Sequence, residues 1–129
     1  MAIIGILAAI AYPSYTAYVQ RSNRAQLKTI MLENAQMLER FFTAANAYDV
    51  DAAGATPAIN VISPKLNEGT LAYTITIASN ATIFTLTATR DPVGPMAGDA
   101  CGNFTLNQLG QKGLVPSTNT LTLSDCWSR

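Results

Sequence analysis

The sequence predicts an α+β fold in which one long N-terminal helix packs on a four-stranded antiparallel sheet. Three observations predict it: a helical pattern over about residues 2–46, two adjoining segments with strict strand alternation, and two cysteines in the last third. A chain of 129 residues suffices for one hydrophobic core. We therefore expect an N-terminal helix within residues 1–46 and one head domain over residues 47–129.

The predicted helix has two parts that differ in polarity. Residues 1–12, MAIIGILAAIAY, carry no charged side chain, which is typical of a helix covered on every side. Beyond Tyr15 the apolar residues recur every three or four positions, so they form one stripe on a helix. That stripe consists of Leu27, Met31, Ala35, Leu38, Phe42 and Ala45.

Pro13 lies between these two parts and leaves two interpretations open. Proline removes a helical hydrogen bond and clashes with the preceding turn, so a continuous helix would kink near residues 9–13. Alternatively, a fresh helix begins at Pro13. The apolar run, residues 1–13, covers only part of the roughly 20 residues that cross a membrane. A signal peptide would have basic residues before its apolar run, and none precedes this one. We expect the run to be a truncated part of a longer apolar segment.

The head contains two clear strand patterns. Apolar and threonine residues alternate over residues 71–78 and again over residues 82–89, and residues 79–81 are short enough for a hairpin. Shorter strands are expected at residues 103–106 and 120–123, with a loop at 47–70 and a turn at 108–113. The apolar face of this sheet needs a cover, and the helix stripe is the natural one.

Cys101 and Cys126 are the only cysteines. Two distant cysteines in a small domain fit one disulfide in an oxidising compartment, while two free buried thiols are the alternative. The apolar N-terminus independently points outside the cytoplasm and favours the disulfide. Residues 101–126 would then form a disulfide-bounded C-terminal region.

The composition disfavours catalysis and strong non-specific nucleic-acid binding. Eight basic residues balance eight acidic ones, and there is no histidine. Neither a nucleophile motif nor a phosphate-binding glycine pattern is present, and the cysteines alone cannot complete a zinc site. Asp91 and Asp99 could form a carboxylate pair, but the sequence gives no reason to prefer that interpretation over two solvated loop carboxylates. We therefore predict no enzyme and no cofactor or metal.

Two groups of residues could contact a partner. Tyr12, Tyr15 and Tyr18 adjoin Arg21 and Arg24, which suits packing between helices, anchoring at a membrane surface or base stacking; the neighbouring apolar run favours the first two. The basic residues of the head are Lys65, Arg90, Lys112 and Arg129. They are candidate DNA contacts if the fold brings them together.

The run AIIGILAAIAYPSY at residues 2–15 resembles the N-terminal helix of type IVa pilins, in which a proline like Pro13 marks the helix kink. The segments CGNFTL at 101–106, LGQKG at 109–113 and DCW at 125–127 resemble PilE-type minor pilins, relatives of the neisserial competence pilin. The resemblance implies the type IV pilin fold, with a kinked helix on a four-stranded sheet. The family's leader, methylated N-terminal Phe and docking Glu are not in this sequence, so no residue takes their roles.

The resemblance also implies a function. The chain would be a structural subunit of a bacterial type IV pilus, held in the inner membrane of a Gram-negative bacterium before assembly and extracellular afterwards. Its partners would be other pilins, including the major pilin, and the assembly machinery. A minor pilin supporting assembly, adhesion, twitching motility or DNA uptake is expected first; a receptor for extracellular DNA and a major pilin are the alternatives. The residues implied in the filament core are Ala2, Ile3, Ile4, Gly5, Ile6, Leu7, Ala8, Ala9, Ile10, Ala11 and Pro13, with local melting of the helix between Gly5 and Pro13 on assembly.

Overall fold

The chain folds into one long helix beside one antiparallel sheet. A computed structural model describes residues 2–128, and the statements below concern this range. The helices and strands are α1 (Ala2–Ala45), β1 (Ile62–Ser63), β2 (Tyr73–Ser79), β3 (Phe84–Arg90), β4 (Phe104–Asn107), β5 (Lys112–Leu114) and α2 (Leu123–Trp127). The sheet order is β1-β2-β3-β4-β5, and every neighbouring pair is antiparallel.

Helix α1 has an exposed stem and a packed half. It continues through Pro13, as the continuous-helix interpretation predicted, so no fresh helix begins there; the kink itself stays a prediction. Every side chain over residues 2–18, which we call the stem, is exposed, and the first buried residue is Asn23. Val19 and Gln20 are half-buried, so the helix meets the head from there to its C-terminal end.

The core lies between α1 and one face of the sheet, as predicted. Leu27, Met31 and Leu38 are fully buried from the helix side, with Ala35 and Phe42 packed at the margin. The sheet contributes alternate residues of β2 and β3, because successive side chains of a strand point to opposite faces. Those residues are Tyr73, Ile75, Phe84, Leu86 and Ala88.

The sheet has five strands where four were predicted, and the structure of two C-terminal segments differs from the prediction. Residues 120–123 do not form a strand, because the Thr122 hydroxyl accepts a hydrogen bond from the Asp125 amide at 3.2 Å and caps the short helix α2. The expected turn at 108–113 extends into β5, where Gly113 pairs with Thr105. A Cβ at Gly113 would lie 2.4 Å from Thr105 Oγ1, so glycine here permits close strand packing and does not mark a turn.

The fifth strand, β1, lies in the segment that was expected to be a loop. It contains two residues, too few for a period to be visible in the sequence. Helix α1 fixes the adjoining backbone through Asn34, which is fully buried. The side-chain amide of Asn34 donates through Nδ2 to the backbone carbonyl of Asn60 at 2.9 Å. Its Oδ1 accepts from the backbone N–H of Asn60 at 2.8 Å.

Candidate nucleic-acid interface

The C-terminal region is closed by a disulfide between Cys101 and Cys126, as predicted. Both cysteines are fully buried, and their Cα atoms are 5.7 Å apart. The bond joins the loop after β3 to helix α2. Residues 115–121 between them are tied to the start of the region, since the amides of Thr120 and Leu121 both donate to the Ala100 carbonyl, at 2.8 and 3.2 Å.

Two cations on α1, one helical turn apart, hold the two ends of this region. Arg24 forms a bidentate ion pair with Asp99, in which its Nε lies 3.1 Å from Oδ2 and its Nη2 contacts Oδ1. The Lys28 ammonium lies 3.3 Å from the Cys126 carbonyl oxygen and 3.4 Å from that of Trp127. A four-residue spacing places both side chains on one flank of the helix, so the same flank meets both ends.

Trp127 is the aromatic centre of the region. Its side chain is largely buried, its indole N–H donates to the Gly113 carbonyl at 2.9 Å, and its ring packs edge-on against Phe104 with centroids 5.4 Å apart. Lys112 of β5 lies over the ring, with Nζ 5.6 Å from the centroid. Cations from the helix and from the far edge of the sheet therefore meet at one aromatic residue; we call Lys28, Lys112 and Trp127 the C-terminal patch.

The pKa values of Lys28 and Arg24 shift in opposite directions. Burial lowers the pKa of the Lys28 ammonium, and the nearby charges of Arg24 and then Lys112 lower it further. The pKa of the Arg24 guanidinium is raised by its hydrogen bond to Asp99, against a smaller opposing effect of burial. Asp99 therefore neutralises Arg24, while Lys112, which is exposed, presents its charge to solvent.

The four basic residues expected as DNA contacts do not form one surface. Lys65 follows β1 and pairs with Glu33 at 2.7 Å, whereas Lys112 begins β5 at the opposite edge. The outer strands of a five-stranded sheet lie about 19 Å apart. Arg90 donates to the backbone carbonyl of Asp99 and supports the loop before Cys101. Arg129 lies outside the described residues.

The sequence did not predict that Arg24 and Lys28 of α1 meet the C-terminal region. Their signal was present, because Arg21, Arg24 and Lys28 are three and four positions apart and share one helix flank. Arg21 is exposed and lies one turn from Arg24 toward the stem. Asp99, expected as a solvated loop carboxylate or as half of a carboxylate pair, is buried and carries two arginine contacts. No second carboxylate accompanies it among its contacts within residues 2–128.

The stem has a different character from the patch. Its apolar side chains are exposed. Tyr12, Tyr15 and Tyr18, which lie at its end nearest Arg21, are 65–76% exposed. By length and composition α1 is also a helix that could cross a membrane. An exposed apolar surface of this length marks a site of contact with lipid or protein.

Two solved structures are similar to this fold. The crystal structure of the non-core minor pilin PilV from Neisseria meningitidis matches with a TM-score of 0.55 and 21% identity, over 81% of this chain and 98% of that chain. A type IV pilin from Shewanella oneidensis matches with a TM-score of 0.50 and 23% identity, over 85% and 99%. The fold is that of the type IV pilins.

The family is more specific than the fold. Residues 13–105 match the family described as type IV minor pilin ComP, DNA uptake sequence receptor, and this chain belongs to that family. It is thus a structural subunit of a type IV pilus. The matched range contains Arg24, Lys28 and Asp99 and ends before Lys112 and Trp127. No curated protein sequence matches the chain.

Proposed function

We propose that this subunit binds duplex DNA through its C-terminal patch. The observation that carries the proposal is the convergence of Lys28 and Lys112 at Trp127, from two elements that are remote in sequence. Membership of a family described by a DNA uptake sequence receptor supports the same function. Arg21 extends the positive surface along α1, because it shares a flank with Lys28.

The expected binding is electrostatic and modest in strength. Lysine and arginine neutralise phosphates and release condensed counterions, so affinity falls as salt rises. A chain with zero net charge gains little from long-range attraction. We expect non-specific duplex binding in the range of about 10⁻⁴ to 10⁻⁶ M at physiological salt, with tighter binding only where a particular base sequence is also read.

Fluorescence anisotropy of a labelled duplex tests the proposal with two matched double variants. Arg21→Ala with Lys112→Ala removes one charge of the patch and one beside it, and Arg40→Ala with Lys65→Ala removes two charges away from it. The first variant should bind more weakly than the second at each salt concentration. Equal losses, or no measurable binding by the unaltered chain, would reject the patch as a DNA site.

A subunit that builds the pilus without touching DNA is the second candidate. The equal number of basic and acidic residues favours it. So do the ion pair of Lys65 with Glu33 and the hydrogen bond of Arg90 to the Asp99 carbonyl, since both basic groups already have protein partners. The triple variant Lys65→Ala, Arg90→Ala and Lys112→Ala separates these candidates. Measurable DNA binding that disappears in this variant would reject the purely structural role.

The exposed stem supports a proposal about location and partners. We propose that it holds the subunit in the inner membrane of a Gram-negative bacterium, and that assembly then buries it among other pilins, including the major pilin, in an extracellular pilus. Tyr12, Tyr15 and Tyr18 suit the membrane surface, because tyrosine favours the boundary between lipid and water. The subunit should appear in sheared pili when the assembly machinery is present and in the inner membrane when it is absent. Its absence from both fractions would reject the proposed route.

A further inference from the structure

The Arg24–Asp99 ion pair stands where the stem leaves the head. Residues 2–18 are exposed, Asn23 is the first buried residue of α1, and Arg24 follows it directly. The Asp99 side chain is fully buried and that of Arg24 is 12% exposed. The pair is thus a desolvated link between the first packed turn of the helix and the loop that leads into the disulfide.

Two of the three guanidinium nitrogens of Arg24 face Asp99. Both Nε and Nη2 are directed at the carboxylate, in the two-pronged geometry that fixes a guanidinium best. A second arginine, Arg90, contacts the backbone carbonyl of the same aspartate. Arg24 therefore cannot act on DNA as Lys112 can, and any effect it has must pass through the loop that it holds.

The path from this pair to the C-terminal patch is short. Asp99 lies two residues before Cys101, and its carbonyl accepts a hydrogen bond from the Gly102 amide at 3.1 Å. Cys101 is bonded to Cys126, which precedes Trp127, and Trp127 underlies Lys112. Lys28 holds the same end of this path at the carbonyls of Cys126 and Trp127.

We infer that Arg24 and Asp99 are positioning residues for DNA binding, fixing the orientation of Trp127 and Lys112 relative to the stem. The inference rests on the proposed function. A filament subunit gains from such a link, because a DNA site displayed by a pilus needs a fixed direction relative to the helix packed in the filament.

The test compares DNA affinity and its dependence on salt in the full chain, using Arg24→Gln and Asp99→Asn. Lys112→Ala is the control for a direct phosphate contact, and Arg40→Gln is the control for a helix arginine elsewhere. Arg24→Gln should weaken binding about tenfold with the slope of log affinity against log salt unchanged. Lys112→Ala should reduce that slope by about one.

Three outcomes overturn the inference. An unchanged affinity in folded, disulfide-bonded Arg24→Gln would make the pair purely structural, and a slope reduced as in Lys112→Ala would make Arg24 a direct contact. Arg24→Lys, which keeps the charge but not the two-pronged geometry, is the variant to use if Arg24→Gln does not fold, and it should show an intermediate loss. If Arg24→Lys bound DNA as tightly as the unaltered chain, the inference would also be wrong.

A separate measurement distinguishes failure of this inference from failure of DNA binding. Trp127 is the only tryptophan, so its emission reports on the C-terminal patch without DNA. Asp99→Asn should shift that emission and increase its quenching by iodide. If the unaltered chain binds no DNA, the proposed function fails, and the role in DNA binding fails with it. An unchanged emission would show that the pair does not position Trp127 at all.

Discussion

Lys112 extends across the face of Trp127, with its ammonium nitrogen 5.6 Å from the centre of the ring. The indole is largely buried and bonded to Gly113, so it is a platform for the lysine and not a surface for a nucleic-acid base. A lysine held over an aromatic ring has already lost part of its conformational freedom. Its contact with a phosphate therefore costs less entropy than that of an unrestrained surface lysine.

Lys112→Gln should weaken DNA binding while leaving the fold intact. An exposed cation–π contact contributes only about 0.5–1 kcal/mol, so the free energy of unfolding should fall by no more than that. Chemical denaturation and DNA anisotropy on the same samples would measure both quantities. A large loss of stability with unchanged DNA affinity would show that Lys112 serves the fold and not the ligand.

Reduction of the Cys101–Cys126 disulfide should destabilise the C-terminal region first. Closing a loop of this size stabilises a chain by roughly 3 kcal/mol in the chain-entropy model, and residues 101–126 contribute only short strands, turns and most of the short helix α2. Paired Cys101→Ser and Cys126→Ser substitutions should therefore lower the free energy of unfolding by about that amount. A thiol assay on unfolded, unreduced protein should read near zero, and two reactive thiols per chain would contradict the bond.

Leu38→Ala should cost about 2–5 kcal/mol of stability, because Leu38 is fully buried between α1 and the sheet. Leu32→Ala on the same helix is the matched control, since Leu32 is 45% exposed. The control should change stability by less than about 0.5–1 kcal/mol. Similar losses for the two variants in urea denaturation would contradict the assigned packing face.

The features predicted from sequence are those in which burial is one-sided. Leu27, Met31 and Leu38 recur at helical spacing because only one face of α1 meets the sheet. The threonines of β2 and β3 alternate with buried residues for the same reason, and Thr76 pairs with Thr87 on the outer face. Periodicity therefore predicted the helix, the hairpin and their common core.

The features that escaped prediction depend on partners far apart along the chain. Asp99 lies 75 positions from Arg24, and Lys28 lies 98 from Cys126, so no local pattern reports either contact. Gly113 looked like a turn residue because its close approach to Thr105 is visible only once β4 and β5 are paired. The C-terminal patch likewise forms from residues that are distant in sequence. The lysines and arginines of the head, predicted as one set from composition alone, are therefore scattered in the structure.

Tyr73→Phe and Tyr48→Phe should have opposite effects on stability at neutral pH. The Tyr73 hydroxyl is buried with no hydrogen-bond partner among residues 2–128, so its removal should stabilise the fold by up to about 1–3 kcal/mol. The Tyr48 hydroxyl donates to Glu39 at 2.9 Å, and its loss should cost about 1 kcal/mol. Thermal and urea unfolding of both variants would measure these changes, and two changes of the same sign would contradict the assignment.

The pH dependence of the same two tyrosines follows from their raised pKa values. Burial, then the charge of Asp99, raises the pKa of Tyr73; burial, then the hydrogen bond to Glu39, raises that of Tyr48. Because these pKa values are raised, the tyrosines ionise at lower pH in the unfolded chain than in the folded one. Their contribution to the free energy of unfolding is therefore fully present below about pH 10 and is lost as the pH rises further. Tyr73→Phe should reduce that alkaline loss, and an unchanged profile would show that Tyr73 is solvated.

The stem should drive self-association of the isolated chain. Ile3, Leu7 and Ile10 are 73%, 63% and 68% exposed, and burying each such side chain is worth about 1.5–3 kcal/mol. Changing all three to Gln keeps a good helix former at each position but removes three large apolar side chains from one face of the stem. The variant should therefore run as a monomer by light scattering, whereas the unaltered chain should form concentration-dependent oligomers that detergent dissociates.

A matched triple variant in the head decides whether that association belongs to the stem. Val61, Leu66 and Val93 are also exposed, at 55%, 77% and 90%, but they lie in separate loops outside α1. Isolated apolar residues are ordinary on a protein surface, whereas a continuous apolar helix is not. Gln at these three positions should leave the oligomers unchanged. If the head variant abolished association while the stem variant preserved it, the contact surface between subunits would lie in the head loops, and the stem would have no part in it.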